Sequence, residues 1–180
     1  MQRKIFISIN LSPRTKKSLT RAISNWQDLP VKWVKEPNLH VTLSFLGHVN
    51  DSVIPEICKK VRETAAGHEM MDLEFTRIEL APTKDDPRMV WLLGEPSEEL
   101  KILHEKIEQA LNIFVTSKKT FRPHITLGKI RQKKWHSLPE APVIEKVFPL
   151  LVTAESVDVM ASEFEGDGME YTTIESCPLK

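Results

Sequence analysis

Apolar and polar residues alternate along several short stretches of the chain, and this pattern predicts β-strands. The clearest examples are "KIFISI" (4–9), "HVTLSFL" (40–46), which we expect to end at Gly47, and "HITLGKI" (124–130). In such strands successive side chains point to opposite faces, so the apolar residues line one buried face. Further strands are predicted over 32–35, 71–80, 88–94, 146–164 and 169–179.

Between these strands, apolar residues recur at helical spacing in three longer segments. We predict helices over 13–26, with Ser12 as the N-cap and Pro13 in the first position, over 50–66, and over 97–114. The charged segment 131–142 is expected to be a short helix or a loop. The composition, 41% hydrophobic and 28% charged, is ordinary for a soluble α/β or α+β protein and does not decide between them.

Two of the six histidines lie in nearly the same phrase, His40-Val41-Thr42-Leu43 and His124-Ile125-Thr126-Leu127. A single His-x-Thr arises readily by chance, but a second copy 84 residues away, close to half of the 180-residue chain, indicates a shared role. This weak repeat predicts that the two halves of the chain are duplicated α/β lobes.

The alternation of side chains in these strands predicts the chemistry of the repeated phrase. His40 and Thr42 should share one face while Val41, Leu43 and Phe45 share the other, and His124 and Thr126 should share a face in the same way. Two opposed imidazoles supply the base and the acid of an in-line displacement at phosphorus, and the threonine hydroxyls donate to the phosphate oxygens. No metal or cofactor is required. If the histidines were metal ligands instead, the phrase would lack a carboxylate or third ligand.

Composition adds few constraints. The 25 basic and 25 acidic residues balance, so nucleic-acid contact must be local. Cys58 and Cys177 lack the spacing of a zinc site or a disulfide framework, and we expect both to be reduced. The chain lacks an apolar segment long enough to span a membrane. We predict one domain over residues 1–180, no membrane partner and a cytoplasmic location.

The segments "WVKEPNLHVTLSFLG", "RMVWLLG" and "FRPHITLGKI" together resemble the two-histidine (2H) phosphoesterase superfamily. Within it they are most similar to the bacterial and archaeal RNA 2′,3′-cyclic phosphodiesterases, historically called 2′–5′ RNA ligases. The resemblance covers nearly the whole chain. It implies a bilobal α+β fold with antiparallel sheets lining a central cleft, and hydrolysis of an RNA-terminal 2′,3′-cyclic phosphate to a 2′-phosphate, with reverse ligation by the same machinery.

The resemblance also implies roles that spacing leaves interchangeable, with His40 as the proton donor and His124 as the proton acceptor. It implies RNA ends as partners, tRNA fragments among them, and a monomer. Lys129 stands where many relatives have arginine, which keeps the charge but loses bidentate phosphate contact. Further candidates for substrate binding are Arg122, Arg88 and Trp91, although core packing is an alternative for Trp91.

The other histidines, His48, His68, His104 and His136, are expected at the surface. Phe121 and Trp135 lie in basic stretches and are candidates for stacking on a base, with a solvated loop as the alternative. Two other functions stay open: a phosphodiesterase of small cyclic nucleotides, and a non-catalytic module that binds an RNA end or a nucleotide. Loss of a motif histidine or threonine would favour the binding module, and all four are present.

Overall fold

The computed structural model describes residues 1–112 and 121–180. In this part of the chain, nine strands form one antiparallel sheet and four α-helices accompany it. The strands are β1 (Gln2–Asn10), β2 (Val31–Trp33), β3 (His40–Asn50), β4 (Met71–Ala81), β5 (Met89–Gly94), β6 (His124–Ile130), β7 (Glu145–Ala154), β8 (Ser156–Glu165) and β9 (Gly168–Pro178). The helices are α1 (Pro13–Ala22), α2 (Ile54–Ala65), α3 (Glu98–Ala110) and α4 (Gln132–His136).

The order of the strands divides eight of the nine strands into two groups of four. It runs β7-β4-β5-β6-β3-β1-β8-β9, with β2 added beside β6. The two strands that begin with the motif histidines, β3 and β6, are neighbours at the centre. We call β3, β1, β8 and β9 the first strand group and β6, β5, β4 and β7 the second. This arrangement confirms the predicted α+β fold with antiparallel strands.

The repeat in the sequence suggested that each half of the chain forms one strand group. This expectation is wrong, because both groups combine strands from different parts of the chain. The first strand group takes β8 and β9 from the C-terminal end, and the second takes β4 and β5 from the middle. The predicted strand over 146–164 is in fact two strands divided at Glu155, which belong to different groups. Hydrophobic spacing cannot reveal this exchange, because it reports which face is buried and not which strand is the neighbour.

Helices α2 and α3 pack on each other and cover one face of the sheet, α2 over β8 and β9 and α3 over β3 and β4. The apolar residues of the motif strands, Val41, Leu43, Ile125 and Leu127, are buried in this core. Burial of one face leaves the opposite face of β3 and β6 to carry the polar motif residues. We call the surface that carries His40, Thr42, His124 and Thr126 the cleft face.

Helix starts follow local signals, but two predicted boundaries are wrong. Ser12 caps α1 as predicted, its Oγ accepting from the Thr15 amide at 3.1 Å. Helix α1 ends at Ala22, and a separate 3₁₀ turn spans Ser24–Trp26. The helix predicted over 50–66 begins at Ile54, just before Pro55. Proline suits the first turn of a helix because its missing N–H is not needed there.

The third predicted helix begins after Ser97, whose Oγ accepts from the Leu100 amide at 3.1 Å. It ends at Ala110, and the last two residues predicted for it, 113 and 114, lie outside the described residues. The alternatives for 131–142 are resolved in favour of a short helix, α4, followed by irregular chain.

Strand β3 continues beyond its predicted end at Gly47 and contains two irregularities in its pairing with β1. Gly47 has a φ of 73°, a left-handed conformation that glycine adopts readily, and the strand runs on to Asn50. One register shift lies between the pairs Ile5–Gly47 and Phe6–Phe45, next to this glycine. The other lies between the pairs Ile7–Ser44 and Ser8–Thr42. At such a bulge the extra residue reverses the alternation of side chains beyond it. The prediction that Phe45 shares the core face with Val41 is therefore wrong.

Candidate active site

The two motif strands meet at one ladder pair. Within the described residues, β3 and β6 pair only at Val41 and Ile125, which run antiparallel. Each motif histidine directly precedes its paired residue and each motif threonine directly follows it. An antiparallel register therefore sets His40 across from Thr126 and Thr42 across from His124 on the cleft face. The four side chains predicted to act together are brought together, with the histidines at opposite corners.

His40 is held by hydrogen bonds at both ring nitrogens. Its Nδ1 lies 2.6 Å from the carbonyl oxygen of Asn38, and its Nε2 lies 2.8 Å from Thr42 Oγ1. A carbonyl oxygen only accepts, so Nδ1 carries the hydrogen. Asn38 is fixed in turn, since its side-chain Nδ2 donates to the Met169 carbonyl oxygen at 2.8 Å. The remaining nitrogen, Nε2, is left to gain or lose a proton.

His124 repeats the backbone contact but has a different ring neighbour. Its Nδ1 donates to the carbonyl oxygen of Arg122, also at 2.6 Å and also two residues earlier. The imidazole stacks on the indole of Trp91, with ring centres 3.9 Å apart and planes 19° from parallel. Both motif histidines thus have the same tautomer, with Nε2 as the reactive nitrogen.

Burial sets the proton affinity of both rings. It lowers the pKa of His40 below its ordinary 6.5, the Asn38 carbonyl partly offsets this effect, and the charges of Lys16 and His124 lower the pKa further. Burial also lowers the pKa of His124, with the Arg122 carbonyl acting against it and the Arg122 charge acting with it. Each imidazole is therefore neutral and able to accept a proton at neutral pH.

Lys16 is a cation at the site that the motifs did not reveal. It lies on α1, half-buried, and its Nζ donates to the Pro37 carbonyl at 2.9 Å. Burial lowers the pKa of this ammonium, while Glu36 and Asp158 raise it. Its charge acts on His40 although 24 residues separate the two along the chain. Only the packing of α1 against the turn before β3 could show this neighbour.

The predicted binding residues occupy different positions. Trp91 lies beside His124, as the stacking shows, and is half-buried rather than part of the core. Arg122 is exposed directly before the second motif. Lys129 is exposed near the end of β6, paired with Lys32 and Met89. Arg88 precedes β5, and its Nη2 lies 3.3 Å from Asp86 Oδ2, so this guanidinium already has an acidic partner.

Trp135 is not free to stack on a base, whereas Phe121 is half-buried and lines a cavity next to Pro123. Trp135 is only 5% exposed and belongs to the core, because α4 turns it inward. The Phe121 ring stacks on His104, with ring centres 4.1 Å apart and planes 15° from parallel. The residues before Phe121 in the same basic stretch, 118–120, lie outside the described residues.

His104 is not the surface residue that its helix suggested. It is half-buried on α3, and its Nδ1 lies 2.9 Å from the carbonyl oxygen of Leu43 on β3. His104 therefore contacts the last residue of the first phrase, Leu43, and also Phe121, which lies three residues before His124. His68 is also half-buried, against the Thr64 carbonyl, whereas His48 and His136 are exposed as expected.

The two cysteines are free and buried, and they share an electrostatic environment. Burial, together with the nearby Glu175 carboxylate, raises the pKa of both Cys58 and Cys177 to about 11. The thiols therefore stay protonated and poorly nucleophilic at neutral pH. In the described part of the chain, no three His, Cys, Asp or Glu side chains are grouped to hold a metal ion. No helix there is long and apolar enough to cross a membrane.

The chain is similar in sequence to proteins of known name. The chain is 27% identical to the RNA 2′,3′-cyclic phosphodiesterase of Thermotoga maritima, over 98% of this chain and 96% of the relative. It is 29% identical to that of Bacillus subtilis, over 74% of this chain and 69% of the relative.

Solved structures share the fold. A Thermus thermophilus protein superposes with a TM-score of 0.83 at 21% identity, over 98% of this chain and 97% of its own. E. coli LigT complexed with 3′-AMP superposes with a TM-score of 0.82 at 22% identity, over 99% of both chains. The family model of the 2′-5′ RNA ligase superfamily matches residues 15–163. Since this match spans well over half of the chain, the protein belongs to the 2′-5′ RNA ligase superfamily.

Proposed function

We propose that this protein is an RNA 2′,3′-cyclic phosphodiesterase that opens a terminal cyclic phosphate to a 2′-phosphomonoester. One observation carries the proposal: two imidazoles with the same fixed tautomer lie on adjoining strands, each with a threonine on the cleft face. The curated relatives from Thermotoga maritima and Bacillus subtilis carry the name of this activity.

In the proposed reaction, water attacks phosphorus on the side of His124. His124 Nε2 takes a proton from the water as the new P–O bond forms, and His40 Nε2–H gives a proton to the 3′-oxygen as the P–O3′ bond breaks. The phosphate stays on the 2′-oxygen. After turnover His124 holds a proton and His40 lacks one, and exchange with solvent restores both.

Thr42 has two states that suit this cycle. When His40 is neutral, the hydroxyl of Thr42 donates to Nε2, since Nδ1 already holds the ring hydrogen. When His40 is protonated, Nε2–H donates to Thr42 Oγ1, and the hydroxyl hydrogen is free to point at a phosphate oxygen. A proton on His40 thus makes a phosphate donor available. We assign Thr126 the matching contact from β6.

The remaining binding roles are proposed on charge and position. Arg122 and Lys129 are exposed cations on or before β6 and suit the phosphates of the RNA chain. Arg88 is kept as a weaker candidate because Asp86 offsets its charge. Trp91 is assigned to support of the His124 ring. We extend the proposal to tRNA fragments as substrates, to slow reverse ligation with a 5′-hydroxyl end, to a monomeric state and to a cytoplasmic location.

The test is the isomer of the product. An oligonucleotide ending in a 2′,3′-cyclic phosphate is incubated with the protein, and the end is identified with a phosphatase specific for 3′-phosphates. We expect a 2′-phosphate that resists this enzyme. A 3′-phosphate product would mean that the ribose lies the other way round and that the donor and acceptor are exchanged. Tight binding without cleavage would instead favour the non-catalytic module.

A further inference from the structure

Two lysines lie side by side at the end of the sheet's central strands, beyond the motif residues, and the proton transfers do not involve them. Lys32 of β2 and Lys129 of β6 are direct partners in the antiparallel ladder. Residues opposed in this way share one face of the sheet, with their Cβ atoms about 5 Å apart. Both side chains are exposed. We call Lys32 and Lys129 the lysine pair.

A bulge in β6 turns the lysine pair to the cleft face. Lys129 is three residues from Thr126, so regular alternation would place the two on opposite faces. The ladder with β5 contains a register shift between them, since Trp91 pairs with Thr126 and Met89 pairs with Lys129. Met89 and Trp91 are two residues apart on β5 and share a face. Lys129 therefore lies on the same face as Thr126, and its partner lies there too.

The opposite face of this segment packs tightly and keeps β2 close to β6. Gly128 is the ladder partner of Trp33. A Cβ atom at Gly128 would lie 2.9 Å from Trp33 Cε3 and 2.5 Å from Val31 Cγ1, which is too close for either side chain to remain in place. A glycine in a strand permits such a close approach. The backbone thus holds the lysine pair together, whatever the preference of its two charges.

The charges of the lysine pair oppose this arrangement. Like charges directly across a ladder destabilise a sheet. Other cations nearby have acidic partners, since Lys35 Nζ lies 3.3 Å from Asp167 Oδ1 and Arg88 Nη2 lies 3.3 Å from Asp86 Oδ2. Among residues 1–112 and 121–180, no acidic side chain forms an ion pair with either member of the lysine pair. A bound anion would offset the repulsion.

The position of the lysine pair along β6 indicates which part of the substrate it meets. Along β6 the order is His124, then Thr126 with His40 across from it, and then the lysine pair. In-line displacement places the attacking and leaving oxygens on opposite sides of phosphorus. The terminal ribose, which bears the leaving 3′-oxygen, therefore lies on the side of the lysine pair. This placement rests on the proposed function, in which His40 protonates that oxygen and water enters beside His124.

The separation of the lysine pair from the motif suits the next phosphate of an RNA chain. The β5 partners of Thr126 and Lys129 are two residues apart, which corresponds to about 7 Å along the sheet. The flexible lysine stems extend this reach. The 5′-carbon of the terminal ribose carries the phosphate that joins the preceding nucleotide. A nucleoside 2′,3′-cyclic phosphate has no such group and offers the lysine pair nothing to bind.

We propose that the lysine pair binds the internucleotide phosphate on the 5′ side of the terminal nucleotide, so that the preferred substrates are RNA oligonucleotides rather than small cyclic nucleotides. Contacts to phosphate position a nucleic acid without reading its bases. The lysine pair therefore favours an RNA end of any sequence. It also holds the terminal ribose on the His40 side of the cyclic phosphate.

The experiment compares three substrates that differ in the internucleotide phosphate. The first is an adenosine dinucleotide with a terminal 2′,3′-cyclic phosphate, and the second is the same dinucleotide with a neutral methylphosphonate linkage. A 2′-O-methyl group on the first ribose protects the linkage in both. The third is adenosine 2′,3′-cyclic phosphate. Each is assayed with the unmodified protein, Lys32→Gln, Lys32→Arg, the double variant Lys32→Gln/Lys129→Gln, and Lys59→Gln as control. Lys59 is exposed on α2, which covers the opposite face of the sheet.

We expect the unmodified protein to cleave the charged dinucleotide with a higher kcat/KM than the neutral one. Lys32→Gln should raise KM for the charged dinucleotide about 2- to 5-fold, the usual effect of one exposed ion pair, and the double variant about 5- to 25-fold. In Lys32→Gln, kcat and both other KM values should stay nearly unchanged. Lys32→Arg should keep the low KM, and Lys59→Gln should behave like the unmodified protein. Circular dichroism spectra check that each variant is folded.

Two results would overturn the phosphate contact. One is an unmodified protein that cleaves the charged and neutral dinucleotides with equal kcat/KM. The other is a Lys32→Gln variant whose KM for the charged dinucleotide is unchanged, or rises no more than its KM for the neutral one. In either case hydrolysis would still occur and the proposed function would stand. An unmodified protein that cleaves none of the three substrates would refute the proposed function and, with it, the role of the lysine pair.

Discussion

The two motif histidines share one backbone contact and differ in everything around their rings. Each Nδ1 is 2.6 Å from the carbonyl two residues earlier, so each strand start fixes a tautomer by itself. His40 then packs among Phe6 and Tyr171 under the influence of Lys16, while His124 stacks on Trp91. Sequence analysis predicts the shared chemistry from the repeated phrase. The asymmetry comes from residues that are distant along the chain.

Replacement of either histidine should remove one proton transfer. We expect His40→Ala and His124→Ala each to lower kcat by about 10²- to 10⁴-fold, the usual contribution of a positioned acid or base. The double variant should be little slower than either single one, since the concerted route is already lost. Single-turnover rates measure these effects, with exposed His48→Ala as control. Near-normal turnover in either single variant would exclude that histidine from the mechanism.

The lowered pKa of both histidines determines the expected pH dependence. The proposed roles require a protonated His40 and a neutral His124 in the free protein, and burial lowers the pKa of both below the ordinary 6.5. We therefore expect kcat/KM to decline as pH rises above a maximum below 6.5, because His40 loses its proton. A bound phosphate anion favours the protonated rings, so the decline in kcat should lie at higher pH. A kcat/KM that still rises above pH 6.5 would contradict this assignment.

Lys16 provides a check on the same prediction. Its charge lowers the pKa of His40, so Lys16→Met should raise that pKa and move the alkaline decline of kcat/KM to higher pH. Lys17→Met is the matched control, because Lys17 is the exposed neighbour on α1. A shift toward lower pH in Lys16→Met, or an equal shift in both variants, would show that Lys16 does not act on His40.

At the level of elements, strand and helix types follow from the sequence more reliably than their contacts. The periods of "KIFISI", "HVTLSFL" and "HITLGKI" gave strands in the right places, and Ser12 and Ser97 cap helices as their residue type favours. The sequence does not reveal the bulge at Leu43 and Ser44, because neither residue type marks a bulge. Its consequence is large, since it reverses the direction of Phe45. Pattern analysis assumes an unbroken ladder, and one extra residue invalidates that assumption.

Helix α3 ties the two motif segments together through His104. His104→Ala removes the hydrogen bond to Leu43 and the stack on Phe121. Each contact is worth about 0.5–1.5 kcal/mol, so we expect the unfolding free energy to fall by about 1–3 kcal/mol. Urea denaturation measures this loss. His136→Ala is the control, since exposed His136 has its hydrogen bond to the Gln132 carbonyl of its own short helix. An equal loss of unfolding free energy in the two variants would show that the contacts of His104 do not stabilise the protein.

At the scale of the whole molecule, the site depends on how the chain exchanges strands between the two groups. The repeat 84 residues apart predicted two lobes, and the sheet is symmetric in strand order about β3 and β6. Yet β8 and β9 return to the first strand group and bring Tyr171 to His40. Such long-range pairing leaves no local mark in the sequence. That the two motif histidines lie together was therefore predictable, whereas the surroundings that differentiate them were not.

The complete site assigns every step of the reaction to side chains, and this assignment can be tested on the intact protein. In the proposed mechanism the two imidazoles move the protons, and hydroxyls and cations hold the phosphate. Hydrolysis of the cyclic phosphate should therefore continue at an unchanged rate in excess EDTA. A metal-dependent phosphodiesterase inactivated in the same buffer confirms that chelation is complete. Loss of activity that zinc or manganese restores would instead make the histidines metal ligands, and His40→Ala would then also lower the bound metal measured by mass spectrometry.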